Sequence, residues 1–153
     1  MRGYTRACSA IGDADKVVVL DTGALLAGLQ LRLPGRAVAT DLVVEEVKDE
    51  QSVLLLERSI EARKLEVLTP DPAYVEKAVT LAESAGTVNR LSRADLSVIG
   101  VALELRDCGK EVLVASDDYS VQLTAIAANL SVIPVRYRGV KEAGRRTPSG
   151  QSR

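Results

Sequence analysis

Five short apolar runs, the first four each handed on to a helical pattern, constrain this chain more than any other feature. KVVVL (16–20), RAVAT (36–40), LEVLT (65–69), EVLVAS (111–116) and SVIPV (131–135) are rich in Val, Ile and Leu and lack the strict alternation of a half-wet strand. Such runs suit strands buried on both faces. Between them, TGALLAGLQL has helical spacing, and Thr40 or Asp41 caps a helix through LVVEEVKDE. An amphipathic helix is expected over 51–64, and another from the Asp71 cap and Pro72 to about Ala85, closed by Gly86. The longest helix starts at Ser92, runs to about Cys108 and stops at Gly109, and a last one spans 118–130. Strands alternating with helices predict an α/β chain, a compact three-layer α/β/α sandwich with right-handed crossovers. In such folds the working crevice lies beyond the carboxyl ends of the strands, so the residues just after each strand matter most.

With 153 residues, the chain has room for one ordinary domain. That domain is expected over 16–138, after a loose, non-periodic segment (1–15) and before a basic tail (139–153) whose Gly, Pro and Ser content predicts disorder. From Arg136 onward there are six cations against Glu142, a net of +5, which leaves −6 on residues 1–135. A basic tail on an acidic body suits phosphate contact, and suits a merely solvated tail equally.

Composition removes several chemistries. Without His there is no Ser-His-Asp triad, no imidazole acid/base pair and no His-ligated zinc. Two cysteines, Cys8 and Cys108, are too few for a four-thiolate metal site, so no zinc site is expected. They read as reduced thiols of a cytoplasmic protein rather than a disulfide. Phe and Trp are absent, which argues against broad platforms for stacking bases. There is no signal-peptide core and no run of the roughly 20 apolar residues that a membrane span needs. Catalysis must therefore run on carboxylates, hydroxyls, Lys or Arg, with a hard metal ion as the natural helper.

The acids fall where that helper would sit. Asp21 ends the first strand, and is either a site carboxylate or an N-cap of the following helix. Ser116, Asp117 and Asp118 end the fourth. On the long helix, Asp95 shares a stripe with Val98, Ile99 and Ala102 (i+3, i+4, i+7), which turns it toward the core one turn from the helix start. Glu46 lies with Leu42, Val43 and Val53, whereas Glu45 shares a polar stripe with Asp41 and Asp49. An all-oxygen set without His prefers Mg²⁺ or Mn²⁺, as one or two ions. Phosphodiester hydrolysis is the reaction that fits a site lacking every organic nucleophile.

VVLDTGALL, DLVVEEV, RLSRADLSVIGVALEL and VLVASDDYSVQ, in this order, resemble a PIN-domain nuclease over roughly residues 16 to 136. The resemblance implies a five-stranded parallel sheet of order 3-2-1-4-5. It also implies that Asp21, Glu46, Asp95, Asp117 and Asp118 form the catalytic acid set. Of these, Asp21, Asp95, Asp117 and Asp118 would hold metal, and Ser116 fills the hydroxyl position before the last acids. Within that family, VVEEVKDE, LSRADLSVIGVALEL and SDDYSVQ…AANLSVIPV resemble the Nin-one-binding (NOB) endonucleases. These trim the 3′ end of the small-subunit ribosomal RNA precursor and usually continue into a four-cysteine zinc ribbon, where this chain has GVKEAGRRTPSGQSR. The implied partner is RNA, either that precursor or the pre-ribosome, contacted by Thr22, Ser116, Arg136, Arg138 and Lys141. A homodimer stays open. So do two alternatives: a VapC-type toxin ribonuclease with an antitoxin partner, and a PIN-like scaffold that binds RNA or protein without cutting. Asp21-Thr22-Gly23 also matches the aspartic-protease signature, but that class needs a β-rich fold and a second such loop.

Overall fold

The computed structural model describes residues 5–136, and in it the five runs form a single sheet. The strands are β1 (Lys16–Leu20), β2 (Arg36–Thr40), β3 (Glu66–Leu68), β4 (Glu111–Ala115) and β5 (Ser131–Ile133). Every neighbouring pair is parallel and the order is β3-β2-β1-β4-β5, as the resemblance implies. Helices cover both faces, so Val17, Val18, Val19 and Leu20 are all buried. A strand enclosed on both sides has no wet face, and this is why β1 is apolar from Val17 to Leu20, after the exposed Lys16.

The helices are α1 (Arg6–Ile11), α2 (Thr22–Leu26), α3 (Asp41–Glu45), α4 (Glu50–Glu61), α5 (Pro72–Ala85), α6 (Arg93–Asp107) and α7 (Tyr119–Ala127). Helix α6 lies against β1, β2 and β4 and packs on α5. It is pinned to the sheet by the hydroxyls of Thr40 and Ser97, 2.7 Å apart and both buried. Gly100 lets α5 come close: a Cβ there would stand 3.3 Å from Tyr74 O and from Val75 N and Cα. Glu104, also buried on α6, accepts the Asp71 N–H at 2.9 Å and so anchors the start of α5. None of the described helices is long and apolar enough to cross a membrane.

Four expectations are corrected. The helix read through TGALLAGLQL stops at Leu26; Gly28 turns left-handed (φ 73°) and a 3-10 turn, Leu29–Leu31, follows. The helix read through LVVEEVKDE ends at Glu45, because Asp49 starts a new one by accepting the Ser52 N–H at 3.0 Å. The lead-in is not loose throughout. Thr5 caps α1 by accepting the Cys8 N–H at 3.2 Å, and Ala7, Cys8 and Ile11 are buried, with α1 against α6. A six-residue helix is too short to show periodicity, so its order comes from packing rather than propensity. The cysteines are likewise not free thiols: Cys8 and Cys108 form a disulfide with Cα atoms 5.9 Å apart. They are 100 residues apart in sequence, and only the docking of α1 on α6 brings them together. The tail 139–153 lies outside the described residues.

Candidate active site

Parallel register builds the centre of the site. Leu20 of β1 pairs with Ala115 of β4, and the Asp21 N–H extends the ladder by donating to Ala115 O at 3.2 Å. Asp21 and Ser116 are therefore neighbours at the carboxyl ends of the two central strands. Asp21 Oδ1 caps α2 by accepting the Ala24 N–H at 2.8 Å. Ser116, fully buried, hydrogen-bonds the Asp21 carboxylate, and its Oγ accepts the Asp118 N–H at 2.9 Å. Asp21 thus caps α2 and at the same time lines the cleft at the strand ends. Ser116 faces the acids, and its burial leaves it no surface to offer a substrate.

Asp95 has the same double character. It forms a capping box with Ser92: Asp95 Oδ2 accepts the Ser92 N–H at 2.9 Å and Ser92 Oγ accepts the Asp95 N–H at 3.0 Å. Its carboxylate nevertheless turns into the cleft, next to the charges of Asp118 and Glu46. Glu46 is the C-cap of α3, exposed on the cleft wall, where its Oε1 accepts the Thr22 hydroxyl. The helical stripe that singled it out ends at that very residue. Thr22 is therefore committed to Glu46 in this state.

Asp117 and Asp118 divide their work. Asp117 Oδ1 accepts the Val135 N–H at 2.8 Å, and Oδ2 accepts the Arg136 N–H at 2.9 Å with Arg136 Nε 3.7 Å away. Both of its oxygens hold the chain that leaves β5. Asp118 caps α7 through one oxygen, accepting the Val121 N–H at 3.1 Å, and its charge acts on both Asp21 and Asp95.

Asp21, Glu46, Asp95, Asp117 and Asp118 all line one cleft of about 680 Å³, with Thr22, Gly23, Arg32, Val135 and Arg136. Burial pushes the Asp21 carboxyl above its ordinary value; the bonds from Ser116 and Ala24 oppose this, and the charges of Asp95 and Asp118 add to it. Burial raises Asp95 as well, against the Ser92 bonds and with help from Asp118 and Glu46. The donor set is all oxygen and its negative charge is only partly offset, which fits a hard divalent cation. Among the described residues no three of these acids close into a ready-made cage. An open arrangement suits Mg²⁺, which keeps several waters and takes one or two carboxylates plus substrate phosphate. Arg32 was not singled out by any motif; it follows a 3-10 turn whose place over the cleft is a tertiary fact. Arg138 and Lys141 lie outside the described residues.

Comparison with known proteins agrees with this fold. Residues 18–105 match the model of a PIN domain of ribonuclease. The chain is similar to Ribonuclease VapC3 of Aeropyrum pernix, 45% identical over 91% of this chain and 99% of that protein. It is also similar to Endoribonuclease Nob1 of Pyrococcus abyssi, 34% identical over 82% of this chain and 71% of that protein. With Endoribonuclease Nob1 of Methanothermobacter thermautotrophicus it shares 34% identity over 67% of this chain and 56% of that protein.

Proposed function

This chain belongs to the PIN-domain family of ribonucleases, and from that premise we propose that it is a divalent-metal-dependent endoribonuclease that hydrolyses RNA phosphodiesters. The observation that carries the reading is the lining of one cleft by five carboxylates at the carboxyl ends of the central strands and on α3 and α6. Asp21, Asp95 and Asp118 would hold Mg²⁺ or Mn²⁺. Asp117 belongs to the set by position and acts by fixing the chain after β5.

When bound, the metal supplies Lewis acidity toward the phosphodiester and makes a water nucleophilic near neutral pH. The chain's own residues do the rest. Ser116 fixes the orientation of Asp21, and the capping box fixes Asp95, so neither carboxylate has to reorganise as charge develops. Glu46, held by Thr22, orients the attacking water or completes the acid set. Water adds to phosphorus as the bond to the leaving oxygen breaks, and that oxygen departs with a proton from solvent. Thr22, once released from Glu46, is available to the phosphate. Arg136, Arg138 and Lys141 track the RNA backbone.

For the substrate we favour the precursor of small-subunit ribosomal RNA, cut during 3′-end maturation in the cytoplasm. The Nin-one-binding-like segments and the similarity to two endoribonucleases named Nob1 support this. A toxin-type ribonuclease is the second reading, favoured by the end-to-end match to a protein named Ribonuclease VapC3. The purified protein should cut labelled single-stranded RNA in Mn²⁺, not in EDTA, and Asp21→Asn should abolish the products. Cutting of a precursor transcript at the mature 3′ end, in preference to unrelated RNA, would support the maturation reading. Growth arrest on induction, relieved by a small neighbouring gene product, would support the toxin reading. Absence of any Mn²⁺-dependent product would sink both and leave a binding scaffold.

A further inference from the structure

Two guanidinium groups line the acid cleft, and they are held differently. Arg136 reaches it from the segment after β5 and is tied to Asp117 through its own N–H and its Nε. Arg32 reaches it from the β1–β2 connection, is exposed, and has no ion-pair or hydrogen-bond partner for its side chain among the described residues. Its backbone, in contrast, is firmly placed. The left-handed Gly28 turns the chain, and Leu29 and Gln30 are buried. Gln30 Nε2 donates to the buried Ser59 Oγ at 3.0 Å, and the Arg32 N–H closes the turn on Leu29 O. A guanidinium on a fixed stem, beside five carboxylates and bonded to none of them, is free for another anion. Its planar fork suits two oxygens of one phosphate.

We propose that Arg32 binds an RNA phosphate at the cleft, so that Arg32 and Arg136 hold the backbone across the acids from two separate parts of the chain. This rests on the ribonuclease reading and adds a substrate contact to it. Strand polarity would then be read by two unlike contacts: one free and bidentate, the other already shared with Asp117. Phosphate contact of this kind sets affinity and register rather than base preference.

The test is binding of a labelled single-stranded RNA oligonucleotide across a salt series in EDTA, where cleavage does not interfere, followed by cleavage in Mn²⁺. Arg32→Ala should weaken binding on the order of tenfold, the range of one charge-assisted hydrogen bond. It should also reduce the slope of log K against log salt by about 0.7, the value of one single-strand phosphate. Arg32→Lys should keep the slope, since the charge remains, but cut more slowly because the fork is lost. Lys64→Ala, an exposed cation outside the cleft lining, should match the wild type in both measurements. An Arg32→Ala slope equal to that of the wild type would overturn the proposal, as would the absence of salt-dependent binding by the wild type. If the wild type binds RNA with Arg32-dependent slope yet never cuts it, the ribonuclease reading fails while the phosphate contact stands.

Discussion

Asp117 accepts the backbone N–H of Arg136 at 2.9 Å through one oxygen, while its other oxygen accepts that of Val135 at 2.8 Å. Its neighbour Asp118 instead turns its charge on Asp21 and Asp95. Adjacent acids with unlike partners should respond unlike to mutation. Asp117→Ala frees two N–H groups at a partly exposed site and should lower stability by about 1–2 kcal/mol, with a reduced but measurable cleavage rate. Asp118→Asn keeps an oxygen for the Val121 cap, so the melting temperature should hold. Mn²⁺-dependent cleavage should nevertheless fall by about a hundredfold or more, the scale on which removing one electrostatic stabiliser of a transition state acts. Thermal melts and single-turnover cleavage on the same preparations check both.

The raised carboxyls predict how the metal-free protein responds to pH. Asp21 and Asp95 hold protons more tightly folded than unfolded, so the folded state binds more protons just above the ordinary value of 3.8. Stability should therefore fall as pH rises through that window, the two acids being most unfavourable once both are ionised. In EDTA, Asp21→Asn should melt higher than the wild type at neutral pH and lose that advantage as the buffer is made acidic. Adding Mn²⁺ should raise the melting temperature of the wild type and do less for the variant, because a ligand stabilises only where it binds.

The Cys8–Cys108 bond closes a loop of about 100 residues that holds β1, β2 and β3, with β4 and β5 outside it. On the chain-entropy account such a loop is worth on the order of 4–5 kcal/mol. Melting with and without dithiothreitol should show a large downward shift on reduction, and the Cys8→Ser, Cys108→Ser double variant should melt near the reduced wild type, indifferent to reductant. Identical melts in the two conditions would mean that the bond adds nothing.

Gly100 sets how near α5 approaches α6. A methyl group there would press on Tyr74 O and the Val75 backbone at 3.3 Å, and backbone yields less readily than a side-chain tip. Gly100→Ala should cost about 1–3 kcal/mol, since overpacking outweighs the better helix propensity of Ala. Chemical denaturation would measure it, and a stabilised variant would show that the helices have room to part.

Much of the fold was legible because burial on both faces leaves a mark in local composition. KVVVL and RAVAT correspond to β1 and β2 residue for residue, and Asp71, Pro72 and Gly86 bound α5 as their backbone preferences require. Asp95 does line the cleft, but the stripe of Val98, Ile99 and Ala102 does not single it out, because α6 is buried on every side from Ser97 to Leu105. Glu46 also lines the cleft, although the helical period that relates it to Val53 is broken where α3 ends beside it.

What stayed hidden depended on how distant segments meet. Helical and strand periods, caps and turn residues act over a few positions, so the chain carries them openly. The pairing of Cys8 with Cys108, the different duties of Asp117 and Asp118, and the arrival of Arg32 over the acids depend on how α1, the turn after β5 and the 3-10 turn dock in space. No neighbour in sequence encodes them, because docking is settled by the packing of buried surface that only the assembled sheet and helices present.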